Sequence, residues 1–526
     1  MKLKPIKQFL SGTAIATVAM MSPAAASQVT LNSADNTVTI TGELLGYDGE
    51  TYTLSTAIGV VSLFSEGVTC TGAGCPVISK DSAFSFAGSR ALSDALIPTL
   101  IDGFSTWTKA SLSTSAINDS TEGFSVDSTD NGKAEISVIG SNTRSGFQSV
   151  LSGDATFALA SRTAGAREQR QFLEAEKGDL RDAAQQHIVA VDGLLLVTHP
   201  NNPVRAITEL NAAFAFSGQV NNWAQLGGRN APITLYVREA DSGTREVFEN
   251  LLMRPNGLRI SDNVTVLPTD AAIAEAVQND PNGIGFTSFA QAGDAAALDI
   301  EGVCGLRTPA TAFTIKTEEY PLTRLMYMYQ ANADLDYHAK QFLDFLQTDE
   351  AQQAVAQAGF IDQSISAETI NSQGIRVASA IVNNRDPRQI NSIQSMFRLL
   401  ISAERLSTTY RFETGSARLD ARAQADVERL AELLNGDQFE NKEILFVGFT
   451  DSVGKADLNQ ILSVQRAELV RQSILAANPA LQNRVKTSTV GFGEASPLGC
   501  NETDTGRRIN RRVEIWVQDI VAENRS

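Results

Sequence analysis

Apolar and hydroxyl-bearing residues alternate from residue 28 to about residue 80, in Val29-Thr-Leu, Val38-Thr-Ile-Thr, Tyr52-Thr-Leu and Gly59-Val-Val-Ser-Leu. A period of two is the mark of half-buried strands, and turn residues such as Tyr47-Asp-Gly49 separate the runs. Residues 27–80 are therefore expected to form a small β-rich module. It carries no chemical signature, so a structural or interaction role is its default.

From about residue 83 strands alternate with helices, which indicates an α/β domain. Phe84-Ser-Phe-Ala-Gly88 reads as a strand ending at Ser89, before a helix with Leu92, Leu96, Leu100 and Phe104 on one face. Ile136-Ser-Val-Ile139 is a second strand, followed by Gly140-Ser-Asn-Thr-Arg-Ser145-Gly146 and a short helix through Val150 and Leu151. The third is Ile233–Val237, followed by Arg238-Glu-Ala-Asp-Ser-Gly-Thr244 and a helix marked by Val247, Phe248, Leu251 and Leu252. A Ser-Gly-Thr at a helix start offers unpaired N–H groups, two hydroxyls and the positive end of the dipole. Arg238 adds a forked donor suited to an oxyanion. Such a turn is either an anion seat or a simple Ser/Thr N-cap beside a surface arginine. Three of them in one α/β domain favour the seat, because ligands of such folds bind outside the strand C-termini.

Residues 366–404 are polar with scattered apolar positions and read as a connector with some helix near Ile390 to Ile401. Alternation resumes from Tyr410 to Val517. Glu443–Phe449 is a strand, Leu458–Ala476 a helix with Ile461, Leu462, Leu469, Val470 and Ile474 inward, and Val485–Phe492 and Arg512–Val517 close a βαβ-type sheet.

At 526 residues the chain suggests three or four domains of about 150 residues each. A formal net charge of −17 argues against nucleic acid or anionic membrane as a general partner. Lys2, Lys4 and Lys7, the apolar stretch Phe9–Met21 and Ala24-Ala-Ala26 form the pattern of a signal peptide over residues 1–26, cleaved before Ser27. Cysteine usage fits the oxidising compartment that export implies. Cys70 and Cys75 bracket a flexible Thr-Gly-Ala-Gly loop and are expected to form a disulfide, whereas Cys304 and Cys500 either stay free or cross-link two domains. The three histidines are not clustered with cysteine or carboxylate, so no metal site or cofactor is expected.

Several separated motifs bear a family resemblance. Val191-Asp-Gly-Leu-Leu-Leu-Val197, His199-Pro-Asn-Asn-Pro203, Phe216-Ser-Gly-Gln-Val-Asn-Asn-Trp223, Gly227-Gly228, Arg238 with Ser242-Gly-Thr244, Asp280–Phe286, Glu319-Tyr-Pro-Leu322 and Gln352–Phe360 follow the order seen in PstS-like periplasmic phosphate-binding proteins. The resemblance covers roughly 83–365 and implies a two-lobed, hinged receptor closing on one tetrahedral oxyanion. Carried over by position, Ser89 and Ser145 look like first-lobe hydroxyl donors, and Arg238, Ser242, Gly243 and Thr244 like the second-lobe clamp. Better-known receptors place an aspartate two residues after the arginine; here Ala240 stands there with Asp241 next to it. Their other acidic contact falls near Ser161-Arg162, where Arg162 would instead add positive charge. A carboxylate accepts the proton of phosphate and repels fully ionised sulfate, so its displacement bears on selectivity. Phosphate leads, with sulfate and organophosphates as competitors.

Gly448-Phe-Thr-Asp-Ser-Val-Gly454, Asn459, Leu462-Ser463, Arg466-Ala467, Gly506-Arg507 and Asn510-Arg-Arg-Val-Glu514 are similar to the OmpA-like peptidoglycan-binding domain. In that resemblance Asp451 and Arg466 receive the ammonium and carboxylate of a diaminopimelate-containing stem peptide, with Thr450, Asn459 and Arg512 in support. Phe449 departs from a histidine frequent before the Thr-Asp pair. A helix-entry cap for Asp451 and a surface ion pair for Arg466 are the bland readings.

The expected architecture is α/β and α+β multidomain. It comprises the signal peptide, a small N-terminal β module (27–80), a two-lobed periplasmic-binding-protein fold (81–365), a linker (366–404), a C-terminal OmpA-like βαβ sandwich (405–518) and a tail (519–526). The function expected from it is an exported binding protein for phosphate or a related oxyanion, fastened to peptidoglycan in the periplasm at the inner face of the outer membrane. An ABC importer is a candidate partner. The alternative is a structural envelope protein whose binding-protein domain serves interaction rather than capture. An enzyme is not expected, since Ser242 lacks an adjacent histidine or lysine base and His199 precedes a Pro-containing loop.

Overall fold

A computed structural model describes residues 28–520, except 34–36, 48–50, 66, 73, 76–80, 119, 130, 241, 375–377, 379–380, 382–386, 413–418 and 420. The signal-peptide expectation and Asp241 lie outside the described residues. The chain divides into two compact units, up to Lys80 and from Asp81 onward. In the first unit, strands Gly59–Phe64, Thr51–Thr56, Thr39–Tyr47, Gln28–Ser33 and Val68–Thr71 form an antiparallel sheet in that order. Alternation buries Val29, Leu31, Tyr52 and Leu54 on one face. Cys70 and Cys75 are joined in a disulfide.

In the second unit, an eleven-stranded sheet runs through two lobes. Two strands, Gln186–Thr198 and Thr323–Gln330, cross between the lobes and pair antiparallel from Gln186 against Tyr329 to Gly193 against Thr323. The first crossing strand divides its side chains between two cores. Val189 and Ala190 pack with Phe86, Phe104, Phe157 and Phe342, whereas Val191 and Leu194–Val197 pack with Phe216, Phe248 and Phe286. Two cores on one continuous strand define two lobes.

The C-terminal sheet runs Ala367–Thr369, Glu404–Arg411, Arg512–Asp519, Lys442–Phe449, Lys486–Gly491. Lys442–Phe449 and Lys486–Gly491 are parallel and joined through the helix Ala456–Ala477, a βαβ unit. One sheet face packs on that helix and on Ala421–Leu433. The other packs on the helix Pro387–Leu400, whose Ile393, Met396 and Leu400 meet Leu445, Val447, Phe449 and Trp516. The stretch 366–404, expected as a connector, thus supplies an edge strand and a core helix of this domain. Its apolar residues are scattered for a linker but fall at helical spacing, which is why burial claims them.

The C-terminal domain is also docked on the second lobe. Cys304 and Cys500 cross-link the two. Fully buried Arg405 pairs with Glu319 and, at 3.5 Å, with Glu514. Arg411 donates to the Thr317 carbonyl, and Arg508 meets Glu318 at 3.2 Å. A crosslink spanning 196 residues restricts the unfolded chain strongly. Replacing both Cys304 and Cys500 by serine is expected to cost about 2–4 kcal/mol. A thermal melt of the double variant unchanged from the parent would show that the buried ion pairs alone hold the docking.

Candidate functional site

The strand Ser82–Ser89 delivers Ser89 to the cleft between the lobes, buried to 1 % exposure. Gly88 makes this possible: at φ 141°, a Cβ there would lie 2.2 Å from the Leu159 carbonyl oxygen of the neighbouring strand Phe157–Ala160. The helix Thr143–Ser152 also abuts this strand end, with Asn142 as its N-cap accepting from the Ser145 N–H at 2.9 Å. The cap uses the Ser145 amide and turns Thr143 inward. Buried Thr143 Oγ1 lies 3.3 Å from Ser161 Oγ and accepts from the Ser161 N–H at 3.2 Å. The first lobe therefore presents Ser89, Thr143 and Ser161, while Ser145 sits half-buried beyond them.

From the second lobe, strand Thr234–Arg238 leads to Ser242, whose Oγ caps the following turn by accepting from Arg245 N–H at 3.4 Å. Gly243 meets the first lobe directly. A Cβ on it would stand 3.3 Å from Ser89 Oγ and 3.4 Å from Ser161 Oγ. Ser89, Ser161 and Gly243 thus close the gap together, and Ser89 Oγ is buried with no hydrogen-bond partner. The helix dipole is weaker here than the motif suggested, because the helix after Ser89 is only Arg90–Ser93.

The cations behave differently from a free clamp. Arg238 Nη1 pairs with Asp270, and its Nη2 donates to the Pro268 carbonyl at 2.8 Å. Asp270 also accepts from Thr244 Oγ1 at 2.9 Å and from the Ser288 N–H at 3.1 Å. Thr244 Oγ1 in turn accepts from Arg324 Nη2 at 3.4 Å, and Arg324 grips Asp192 through Nε at 2.9 Å and Nη2 at 2.6 Å. The result is a buried relay from Asp192 through Arg324, Thr244 and Asp270 to Arg238. Burial pushes the Asp192 carboxyl up against the pull of Arg324. Arg162 bonds Glu168 at 2.8 Å and reaches Glu246 of the other lobe at 3.5 Å. It is an interlobe latch, its charge already matched. Burial works against the Glu168 charge, yet Arg162 and the Gly165 N–H hold its carboxyl below the usual range.

Sequence reasoning did not single out Thr143, Ser161, Asp192, Asp270 or Arg324 as site residues. A signal existed for two of them. Asp192 and Arg324 each interrupt an apolar strand, where a buried charge requires a partner.

In the C-terminal domain, Asp451 follows the strand Lys442–Phe449 and accepts from Arg511 Nη1 at 2.6 Å and the Val453 N–H at 3.2 Å. Arg466, 2 % exposed, stacks 5.1 Å over the Phe412 ring with Nε and Nη1 unpartnered. Desolvation and nearby Arg511 disfavour its charge, and Asp451 supports it. An under-compensated guanidinium beside an acid is arranged to receive a carboxylate. Thr450 is buried with Oγ1 unpartnered. Asn459 Nδ2 ties Glu494 at 2.7 Å and the Asp451 and Val453 carbonyls at 3.3 and 3.2 Å, so it holds the loop.

Arg512 does not join this group. It is fully buried, bonded to Glu514 at 2.7 Å and stacked 4.1 Å over Phe449. Successive side chains of an extended segment point to opposite faces, so Arg511 faces Asp451 and Arg512 faces the core. Phe449 likewise lies in the core. Among the described residues, the one Cys/Asp/Glu/His cluster with ligand spacing is Cys304, Cys500 and Glu502, whose sulfurs are bonded to each other. His199 Nδ1 accepts from the Asn201 N–H at 3.0 Å within its loop. No helix among the described residues is long and apolar enough to cross a membrane.

Residues 105–350 match the PBP superfamily domain, and residues 411–511 match the OmpA family. The phosphate-binding protein PstS of Bacillus subtilis is 28% identical over 186 residues, covering 35% of this chain and 59% of that protein. Outer membrane porin F of Pseudomonas aeruginosa is 34% identical over 114 residues, 22% of this chain and 31% of that protein. An ABC-type phosphate transport receptor from Vibrio cholerae has a crystal structure that covers 53% of this chain and 99% of its own, at 21% identity and a TM-score of 0.41. The chain spans less than two thirds of the Bacillus subtilis relative.

The two adjacent arginines separate by experiment. Arg512→Ala removes the nearer of the two guanidiniums at buried Glu514, leaving Arg405 at 3.5 Å, and is expected to cost about 3–5 kcal/mol in chemical denaturation. A loss below about 1 kcal/mol would contradict the core placement of Arg512.

Proposed function

We propose that this chain, with a PBP superfamily domain over residues 105–350 and an OmpA family domain over 411–511, is an envelope binding protein that captures inorganic phosphate between its lobes and is held on peptidoglycan. The observation that carries the reading is Ser89. Its hydroxyl is buried without a partner where Ser161 and Gly243 converge, so an oxyanion there would satisfy a donor otherwise left unmet. Ser161, Thr143, the Gly243 backbone and Ser242 complete a donor-rich seat. Arg238 contributes its field and fixes the strand end through Asp270, rather than wrapping the ligand. With Ala240 beside it, the seat selects phosphate over sulfate only weakly. Asp451 and Arg466 carry wall binding, with Arg511 orienting Asp451 in place of Arg512. The compartment is the periplasm. The disulfides and relatives of envelope type support this, and delivery to an ABC importer is the matching role.

A second reading keeps one specific support. Arg238 and Arg162 are both already paired with carboxylates, as in a domain that no longer binds an anion and serves the envelope structurally.

Calorimetric titration of the mature protein with phosphate and sulfate separates the two readings. Binding to phosphate, with sulfate within about tenfold, is the expected result, and the absence of heat with either anion favours the structural role. Gly243→Ala, which brings a Cβ against both serines, is expected to lower phosphate affinity at least about tenfold, near 1.4 kcal/mol, with an unchanged melting temperature. On the wall side, exchanging the charges of Asp451 and Arg466 is expected to abolish co-sedimentation with purified peptidoglycan. Undiminished pelleting would refute that assignment.

A further inference from the structure

The docking of the two domains forms a half-open cavity of about 640 Å3 lined by both. Its walls carry Arg162 and Arg181 from the first lobe, Thr323 and Arg324 from a crossing strand, and Arg411 and Arg508 from the C-terminal domain. Glu318 and Asp426 are the carboxylates of the lining, in a chain of formal net charge −17. The guanidiniums are oriented from behind. Arg162 is held by Glu168, Arg181 by Asp179 at 2.6 Å, Arg324 by Asp192, Arg508 by Glu318, and Arg411 by the Ile509 and Thr317 carbonyls. A guanidinium has five N–H donors and a carboxylate engages two or so of them, which leaves part of the Arg181, Arg324 and Arg508 forks for a ligand. Arg324 is the strongest sign. It is 6 % exposed with Nη1 unpartnered, and Thr323 Oγ1 beside it is also buried without a partner.

We infer that this interdomain cavity is a binding site for an oligophosphate, distinct from the orthophosphate seat between the lobes. Its volume lies within the roughly 300–1,000 Å3 typical of sites for small organic ligands and exceeds the need of one tetrahedral ion. Arginine forks spread over two domains match a ligand that repeats its oxyanion along a short chain. The site shares Ser161 and Arg324 with the edge of the seat, but its far wall, Arg411 and Arg508, exists only while the C-terminal domain is docked. The carboxylates behind the forks neutralise much of the charge, so binding depends on several contacts at once and weakens with salt.

The test is calorimetry of the full chain with tripolyphosphate, with and without saturating orthophosphate. One equivalent of tripolyphosphate is expected to bind in both cases. Arg181→Ala with Arg508→Ala, at side chains 66% and 53% exposed, is expected to weaken tripolyphosphate at least tenfold and leave the orthophosphate titration unchanged. Arg181→Glu alone is expected to act in the same direction. Tripolyphosphate binding that orthophosphate abolishes, or that neither variant weakens, overturns the site, as does absence of binding. If orthophosphate itself gives no heat, the seat fails, while arginine-dependent tripolyphosphate binding still supports the cavity.

Discussion

The buried ion pair of Asp192 and Arg324 is the interaction on which the two-lobed half of this chain depends. Each residue sits on one of the two strands that cross between lobes, so the pair fixes the hinge strands to one another where the two cores part. Neither charge could be left alone at 0 % and 6 % exposure without a penalty of several kcal/mol. The pair does not end there. Arg324 touches Thr244, Thr244 touches Asp270, and Asp270 holds Arg238 and the Ser288 amide. The crossing strands and the second-lobe half of the candidate site are therefore one hydrogen-bonded body.

Against that body the first lobe presents hydroxyls rather than charges. Ser89 and Ser161, the latter backed by Thr143, meet Gly243, and the Arg162–Glu246 latch at 3.5 Å is a charged contact across the gap. The cations of this cleft are internally paired, and the open donors it presents are neutral.

The C-terminal domain adds a different constraint. Bonds from it reach Cys304 and the run Thr317–Glu319 of the second lobe. The Cys500 end of the crosslink lies next to Asn501, whose side chain accepts from the Ser452 N–H beside Asp451. The loop carrying the candidate wall site and the lobe carrying the candidate clamp are thus connected through a few bonds, where a polar connector would have left them independent.

Local features were legible along the chain. The period of two in residues 28–64, the strand–turn–helix units at Ser89 and Arg238, and the βαβ rhythm after residue 442 depend on neighbours within a few positions, and the structure follows them. The motif shows hydroxyls in a row but not which one the Asn142 cap turns inward, and that is Thr143 rather than Ser145. Arg512 stood in for Arg511 because a step of one residue in an extended segment changes the face, and two adjacent arginines look alike in a string. The helix Pro387–Leu400 read as a connector because its apolar stripe is thin until a sheet is present to cover it. What the sequence by itself determined is where strands, turns and charged side chains occur. Only the tertiary structure decided who neutralises each charge. Asp270 reaches Arg238 from 32 residues away, Arg324 reaches Asp192 from 132, and Cys500 reaches Cys304 from 196. Burial makes such partners obligatory, and only packing brings them together.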